Sequence, residues 1–327
     1  MNGRAGKGRL VILLAGILGG LAMIPAVAAM EIEAPGPLGP LAGTFLPSAK
    51  PGPVVLVVPG SGPTDRDGNS PLGIKASTYR LLAEGLAARG ISTVRIDKRG
   101  MFGSAGAVRD ANAVTIADYA RDVRAWVAAV RRKTGAACVW VLGHSEGGLV
   151  ALAAAGEETG ICGLVLVATP GRPLGDVLRE QFTSNPANAP ILDEALAAID
   201  ALETGKRPDV FHMNPVLRPI FGPKVQDFLL DAIAIDPAGL IAGWRKPVLI
   251  VQGERDLQVS VADAERLKAA SPQAELVLLP DANHVLKAVG TTDRSANLAT
   301  YADPNLPLAP GVVDAIARFV SPPLDNP

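Results

Sequence analysis

Residues 138–150 read Cys-Val-Trp-Val-Leu-Gly-His-Ser-Glu-Gly-Gly-Leu-Val and join an apolar run to a serine set between glycines. The run 139–142 is rich in β-branched and aromatic residues, which is typical of a parallel strand buried on both faces. Gly143, Ser145 and Gly147 then match G-x-S-x-G, a pattern whose small residues allow a sharp turn with the serine at its tip. An Ala/Leu-rich helix follows at residues 149–155. The stretch therefore predicts a strand, a tight turn and a helix, with Ser145 as a candidate nucleophile.

A second glycine-rich motif follows an earlier apolar strand at residues 54–58. Residues 60–68 read Gly-Ser-Gly-Pro-Thr-Asp-Arg-Asp-Gly. With both motifs the chain resembles the α/β-hydrolase superfamily, and more narrowly the serine aminopeptidase-like bacterial carboxylesterases that carry Gly-Ser-Gly-Pro-x-Asp-Arg-Asp-Gly. The resemblance covers about residues 38–320. It implies an α/β-hydrolase fold, with a mostly parallel central sheet, helices on both faces and an inserted helical cap.

The resemblance also implies an oxyanion hole built from backbone N–H groups. One donor comes from the loop after the early strand and the other from the residue after the nucleophile, which are Ser61 and Glu146 here. The alternative for residues 60–62 is an ordinary glycine-rich turn. In the acidic loop that follows, we expect the side chains to hold the loop's own backbone, with Arg66 paired to one of the loop carboxylates. The EF-hand spacing is missing, so no metal and no cofactor is expected.

A serine hydroxyl needs a base within hydrogen-bond reach, and the base needs an acid to orient it. The chain has three histidines. His144 adjoins the serine, His212 lies among prolines, and His284 follows the predicted last strand. The resemblance places the acid at Asp256, in a G-x-x-D-x-x-V turn, and the order Ser, Asp, His is the one expected for this fold. We therefore predict Ser145, His284 and Asp256 as the triad, with two other acids close enough to compete, Glu254 and Asp281.

The segment between the apolar strands at 164–168 and 248–251 is too long for an ordinary connection. It predicts a helical cap at about 171–246, with helices at 191–202 and 225–235. Four phenylalanines lie in it and either line an acyl pocket or pack the cap onto the core. They are Phe182, Phe211, Phe221 and Phe228.

The N-terminus has the composition of a secretory signal peptide. Three basic residues precede the apolar run 10–24, and small residues of the A-x-A kind end at Ala29. We predict a signal peptide at 1–29, a hydrolase domain at 30–327, and a periplasmic or secreted protein without stable membrane insertion after cleavage. The alternative is an uncleaved membrane anchor. The formal net charge of -1 gives no reason to expect a nucleic acid partner.

The chain has two cysteines, Cys138 and Cys162. In the hydrolase arrangement they begin two neighbouring parallel strands, at the end of the sheet away from Ser145. An exported protein favours a disulfide between them, whereas two small apolar thiols are the alternative.

The expected function is hydrolysis of small carboxylic esters of short to medium acyl chain, through an acyl-enzyme on Ser145. A peptidase, an acyl thioesterase or an acyltransferase would use the same triad, and a catalytically silent binding protein is the remaining class.

Overall fold

The computed structural model describes residues 28–156 and 160–321. Eight strands form one sheet: β1 (Met30–Ala34), β2 (Leu41–Leu46), β3 (Val54–Val58), β4 (Ser92–Ile96), β5 (Val139–His144), β6 (Ile161–Val167), β7 (Val248–Gly253) and β8 (Glu275–Leu279). Their order across the sheet is β1-β2-β4-β3-β5-β6-β7-β8. The first two strands pair antiparallel with each other, β2 pairs antiparallel with β4, and every later pairing is parallel. This mostly parallel sheet, in which β2 runs opposite to the other seven strands, confirms the predicted fold class.

The helices are α1 (Thr78–Ala87), α2 (Ile116–Thr134), α3 (Glu146–Ala155), α4 (Leu174–Thr183), α5 (Leu192–Glu203), α6 (Arg218–Phe221), α7 (Gln226–Ile233), α8 (Pro237–Gly243), α9 (Val261–Ala270), α10 (Arg294–Ala299) and α11 (Val312–Val320). Short 3₁₀ turns lie at Phe102–Ala107, Pro186–Ile191 and Thr300–Ala302.

The sheet is buried on both faces. In β3, Val54, Leu56 and Val58 belong to one apolar cluster, while Val55 and Val57 belong to another on the opposite side. Successive side chains of a strand point to opposite faces, so a wholly apolar strand needs helices on both sides. Helices α2 and α3 cover one face, and α1 and α11 cover the other.

Five helices, α4 to α8, occupy the segment between β6 and β7. Much of this segment has an apolar cluster of its own, which includes Phe182, Met213 and Phe221. Phe228 packs at the edge of the same cluster, whereas Phe211 is 83% exposed. Phe182 and Phe221 therefore pack within the cap, Phe228 packs against both this cluster and the core, and Phe211 does neither.

The strand β1 is not predicted by the sequence pattern. It has five residues in which Glu31 and Glu33 alternate with the buried Ile32 and Ala34, too short a pattern to recognise on its own. The predicted signal peptide, 1–29, lies almost wholly outside the described residues. In the part of the chain that is described, no helix has the length and apolar character needed to cross a bilayer.

The two cysteines lie where β5 and β6 begin. The sulfurs of Cys138 and Cys162 are bonded at 2.07 Å, with their Cα atoms 5.1 Å apart. The register between the strands shifts so that Val139 pairs with Ile161 and Trp140 with Gly163, which leaves Cys162 in a bulge. The bulge removes the one-residue mismatch that would otherwise send the two side chains to opposite faces.

We predict that the protein isolated from an oxidising compartment carries this disulfide. The bridge spans a sequence separation of 24, and a loop of that size corresponds to roughly 3 kcal/mol of stabilisation. The matched variant Cys138→Ser with Cys162→Ser should lower the melting temperature and leave turnover nearly unchanged, because the bridge and Ser145 lie at opposite ends of β5. Thiol labelling after denaturation without reductant checks the pairing, and two labels per chain would contradict it.

Candidate active site

The backbone at Ser145 has the strain expected of a sharp turn. Its φ of 56° lies in the left-handed region, which a residue with a side chain rarely adopts. Two of the neighbouring glycines make the turn possible: a Cβ at Gly143 would overlap the Gly147 carbonyl, and one at Gly147 would approach the Pro59 carbonyl oxygen at 2.6 Å. Ser145 thus sits between β5 and α3, as the motif predicts.

The histidine and the acid of the predicted triad are in direct contact. His284 Nδ1 lies 2.8 Å from Asp256 Oδ2, and the two side chains are 7% and 1% exposed. A carboxylate accepts, so Nδ1 carries the proton of the neutral imidazole and Nε2 is left as an acceptor. Asp256 Oδ1 in turn accepts the backbone N–H groups of Gln258 and Val259, at 2.7 and 3.0 Å. The turn after β7 therefore fixes the carboxylate, and the carboxylate fixes the tautomer.

The serine and the histidine share a cavity wall. Ser145 and His284 both line a cavity of about 90 Å³. Within residues 28–156 and 160–321 the Ser145 hydroxyl has no hydrogen-bond partner. Hydrogen bonds of this kind are often loose without substrate and tighten in the complex. The competing acids, Glu254 and Asp281, are exposed, and neither contacts His284 within the described chain.

The two predicted oxyanion donors also meet at Ser145. Ser61 and Glu146 line a second cavity together with Ser145. Glu146 is the first residue of α3, where backbone N–H groups lack partners within the helix. Neither N–H group has an acceptor in the described part of the chain, so both are available to a developing negative charge.

The loop that carries Ser61 is held by the acidic residues after it. Asp65 Oδ1 accepts the N–H groups of Asp67 and Asn69 at 2.9 and 2.8 Å, as expected of a loop that bonds its own backbone. The expectation for Arg66 is wrong. Its guanidinium pairs with Asp97, at 2.8 Å, and with Glu31. Glu31 lies on β1 and Asp97 directly follows β4, so the local sequence does not reveal either partner.

A buried lysine connects the loop that carries Ser61 to the first residue of α3, Glu146. Lys98 Nζ donates to the Gly60 carbonyl at 2.7 Å and to Glu146 Oε1 at 3.3 Å. Its side chain is 3% exposed. The sequence does not predict a role for Lys98, although its place in the turn directly after β4 is an available signal.

His144 belongs to a second connection between the loops. Its Nε2 lies 2.8 Å from the His284 carbonyl oxygen, so Nε2 is the donor and Nδ1 the acceptor. The Tyr79 hydroxyl, 2.9 Å from Nδ1, therefore donates to it, and the same hydroxyl accepts the Gly60 N–H at 3.0 Å. Burial lowers the pKa of His144 to about 3, which keeps the ring neutral. The loop that carries Gly60 and Ser61, the turn at Ser145 and the loop that carries His284 are thus joined by one series of hydrogen bonds.

We predict that Tyr79→Phe lowers the free energy of unfolding by about 2–6 kcal/mol. The change removes the hydroxyl that joins the Gly60 N–H to His144 Nδ1. Both groups are then left without partners in the described residues, and each costs about 1–3 kcal/mol. Denaturant titration measures the loss. Tyr119→Phe is the matched control, because Tyr119 is equally buried and its hydroxyl has no hydrogen bond in the described residues. Equal losses in the two variants would contradict the connection.

Two cavities meet at Ser145. The first, the His284 cavity, has a volume of about 90 Å³ and is lined by polar side chains, among them Thr64, Thr78, Tyr79 and Tyr301. The second, the Leu174 cavity, has a volume of about 210 Å³ and is lined mainly by apolar residues: Leu149, Leu174, Val177, Leu178, Ala232 and Val259. Ser61, Ser145 and Gln258 line both.

A mostly parallel sheet with a strained serine after β5 and a paired acid and histidine after β7 and β8 defines an α/β hydrolase. The model of the alpha/beta hydrolase family matches residues 54–299, which is more than half of the chain. The chain belongs to this family.

Individual relatives include esterases. The chain is 28% identical over 243 residues to esterase EstD of Thermotoga maritima, a match that covers 72% of this chain and 55% of that protein. Solved structures with the same fold include the Pyrococcus furiosus esterase Pf2001, with a TM-score of 0.54 and 18% identity over 86% of this chain and 91% of that one. The esterase domain of a Rhodothermus marinus protein matches with a TM-score of 0.52 and 17% identity, over 90% of this chain and all of that one. At such low identity these structures establish the fold alone.

Proposed function

We propose that the protein is a carboxylesterase that hydrolyses small esters through Ser145, His284 and Asp256. The observation that carries the proposal is the 2.8 Å contact of Asp256 with His284, which lines one cavity together with a strained serine. The esterase relatives support the same activity. The G-S-G-P-x-D-R-D-G loop supports a place among the serine aminopeptidase-like carboxylesterases.

In the proposed reaction the Ser145 oxygen attacks the ester carbonyl carbon while His284 Nε2 takes the hydroxyl proton. The negative charge on the carbonyl oxygen is stabilised by the N–H groups of Ser61 and Glu146. The bond from carbon to the alcohol oxygen then breaks, and His284 passes its proton to the departing alcohol. Water, deprotonated by His284, attacks the acyl-enzyme and releases the acid, which restores the serine.

The acyl group is proposed to be apolar and of short to medium length. Apolar side chains from α3, α4 and α7 support this, because they form much of the wall of the Leu174 cavity. The one arginine in that wall, Arg172, is paired with Asp263 at 2.7 Å and with Glu180. Its charge is therefore matched within the protein and is a poor partner for a charged acyl group.

A matched substrate series tests the proposal. Ethyl butyrate, N-ethylbutyramide and S-ethyl thiobutyrate share one acyl group and separate esterase, peptidase and thioesterase chemistry. We expect the highest kcat/KM for the ester and no turnover by Ser145→Ala. A higher value for the amide or the thioester would replace the proposal with the corresponding alternative. A new ester formed on addition of a second alcohol would indicate acyl transfer, and silence with all three would indicate a binding protein.

We also propose that the protein is exported. The basic, apolar and small-residue segments of residues 1–29 support a cleaved signal peptide over an anchor. Fractionation of cells together with the N-terminal sequence of the mature protein tests this proposal. Recovery in the membrane with residue 1 or 2 at the N-terminus would favour the anchor.

A further inference from the structure

The geometry of ester cleavage gives each cavity a role. In the tetrahedral intermediate the central carbon holds the serine oxygen, the oxyanion, the alcohol oxygen and the acyl chain. The alcohol oxygen must lie beside His284, which protonates it. The alcohol therefore enters the cavity that His284 lines, and the acyl chain enters the cavity that is lined by Glu146 and not by His284.

The His284 cavity is small and offers hydrogen bonds to a ligand. The Tyr301 hydroxyl accepts from Gln258 Nε2 at 3.2 Å, and its own proton has no acceptor in the described residues. Gln258 Oε1 likewise has no donor in that part of the chain. Other polar groups of this cavity are already engaged, since Thr78 donates to the Val285 carbonyl and Thr64 to the Ser61 carbonyl. Besides the Ser61 and Ser145 hydroxyls, Tyr301 thus offers a donor and Gln258 an acceptor in the described part of this wall.

The Leu174 cavity is larger and is lined by more aliphatic side chains. It is more than twice as large, about 210 against 90 Å³. The polar residues that line this cavity and not the other have partners within the protein: Arg172 binds carboxylates, Gln181 donates to the Gln258 carbonyl at 2.9 Å, and Glu146 Oε1 accepts from Lys98 at 3.3 Å. A hydroxyl group placed there would lose its water and find few partners, whereas each buried methylene would raise kcat/KM about fourfold.

From this division we infer that the substrates are esters of small alcohols that carry a second hydroxyl group, joined to an apolar acyl chain. The inference rests on the proposed function and adds the chemistry of the alcohol. Tyr301 is the specificity-determining residue on the alcohol side. The second hydroxyl receives a hydrogen bond from Tyr301 and donates one to Gln258.

The test compares two esters of equal size. The alcohol parts of 2-hydroxyethyl butyrate and propyl butyrate differ only by a hydroxyl in place of a methyl group. We expect the wild-type protein to favour the hydroxyethyl ester about tenfold in kcat/KM, as one or two hydrogen bonds allow. Acid release in a pH-stat follows both reactions without a chromogenic leaving group.

Two variants test which cavity holds the alcohol and which holds the acyl chain. Tyr301→Phe should bring the ratio of kcat/KM for 2-hydroxyethyl butyrate and propyl butyrate close to one. Tyr119 lines neither cavity, so Tyr119→Phe should keep the wild-type ratio. Leu178→Trp should reduce the preference for 2-hydroxyethyl hexanoate over 2-hydroxyethyl acetate. It should keep the ratio of kcat/KM for 2-hydroxyethyl butyrate and propyl butyrate. Leu178 is half-buried, so the larger side chain extends into space without replacing a fully buried group.

The outcomes separate the inference from the function on which it rests. Absence of turnover with every ester would remove the proposed function. Turnover in which the propyl ester is at least as good would overturn the inference alone. A ratio unchanged by Tyr301→Phe would overturn the role of Tyr301, and a ratio changed by Leu178→Trp would mean that the two cavities have exchanged roles.

Discussion

Replacing Asp256 by Asn should lower kcat for ester hydrolysis by about 10³–10⁴ without unfolding the protein. The neutral amide can present its NH₂ group to His284, which reverses the tautomer and leaves Nε2 protonated, so the base cannot accept the serine proton. Removal of the charge in a Ser-His-Asp triad has an effect of about 10⁴ on kcat. The backbone donors at Gln258 and Val259, 2.7 and 3.0 Å from Oδ1, hold the side chain in place and favour this orientation.

Glu254→Gln is the matched control for this effect. It removes a carboxylate two residues away in the same turn, from a side chain that is exposed and has no contact with His284 in the described chain. We expect kcat within a factor of two of wild type, as for a surface substitution. Steady-state kinetics on ethyl butyrate, with circular dichroism to verify folding, provide the measurement. If Glu254→Gln lost activity and Asp256→Asn kept it, the acid would be Glu254.

Replacing Gly147 by Ala should affect both stability and activity. The added Cβ would overlap the Val58 carbonyl oxygen and lie 2.6 Å from that of Pro59. These atoms are backbone and cannot rotate away, so α3 must move away from the end of β3. Overpacking of a buried site costs about 1–3 kcal/mol. The same movement separates Glu146 from Ser61, and a displacement of about 1 Å can cost 100-fold in rate.

Gly156→Ala tests whether this effect is local. Gly156 caps the other end of α3 with an ordinary φ of -58°, and a Cβ there meets no atom within 4 Å. The melting temperature of the Gly156→Ala protein should stay near or above that of wild type, because alanine favours the helical conformation. Melting curves and kcat/KM for both variants give the comparison. A Gly147→Ala protein with wild-type kcat would show that the close approach of α3 to the end of β3 is not needed for catalysis.

Features with a local signal can be predicted from this sequence. The turn at Ser145 is predicted by Gly143 and Gly147, which lie within two residues of it and leave no room for a Cβ. The helix α2 is predicted just as directly, since Thr115 and Asp118 form a reciprocal cap at its start and Gly135 ends it with a φ of 74°. His284 and Asp256 follow from their places after strands, because parallel strands bring their C-terminal ends to one edge of the sheet.

Features that depend on distant pairing are not readable in the same way. Tyr79 is recognisable only as part of a helix, and its hydrogen bond to His144 joins residues 65 positions apart. Likewise, Arg66 pairs with Asp97, which follows β4 and lies 31 positions away in the sequence. The helix α4 supplies half of the named apolar wall of the Leu174 cavity, yet which side of it faces that cavity depends on how the cap docks.

The buried ring of His144 also links folding to the proton concentration. Its pKa is about 3 in the folded protein against 6.5 in an exposed histidine, and the first cause is burial. Between these values the unfolded chain binds a proton here that the folded chain does not. Acidification from pH 6.5 towards 3 therefore shifts the equilibrium towards the unfolded state, at about 1 kcal/mol per pH unit from this one residue. Above pH 6.5 the ring is neutral in both states, so His144 no longer makes stability depend on pH. The residue next to Ser145 thus limits the acidity at which the protein stays folded.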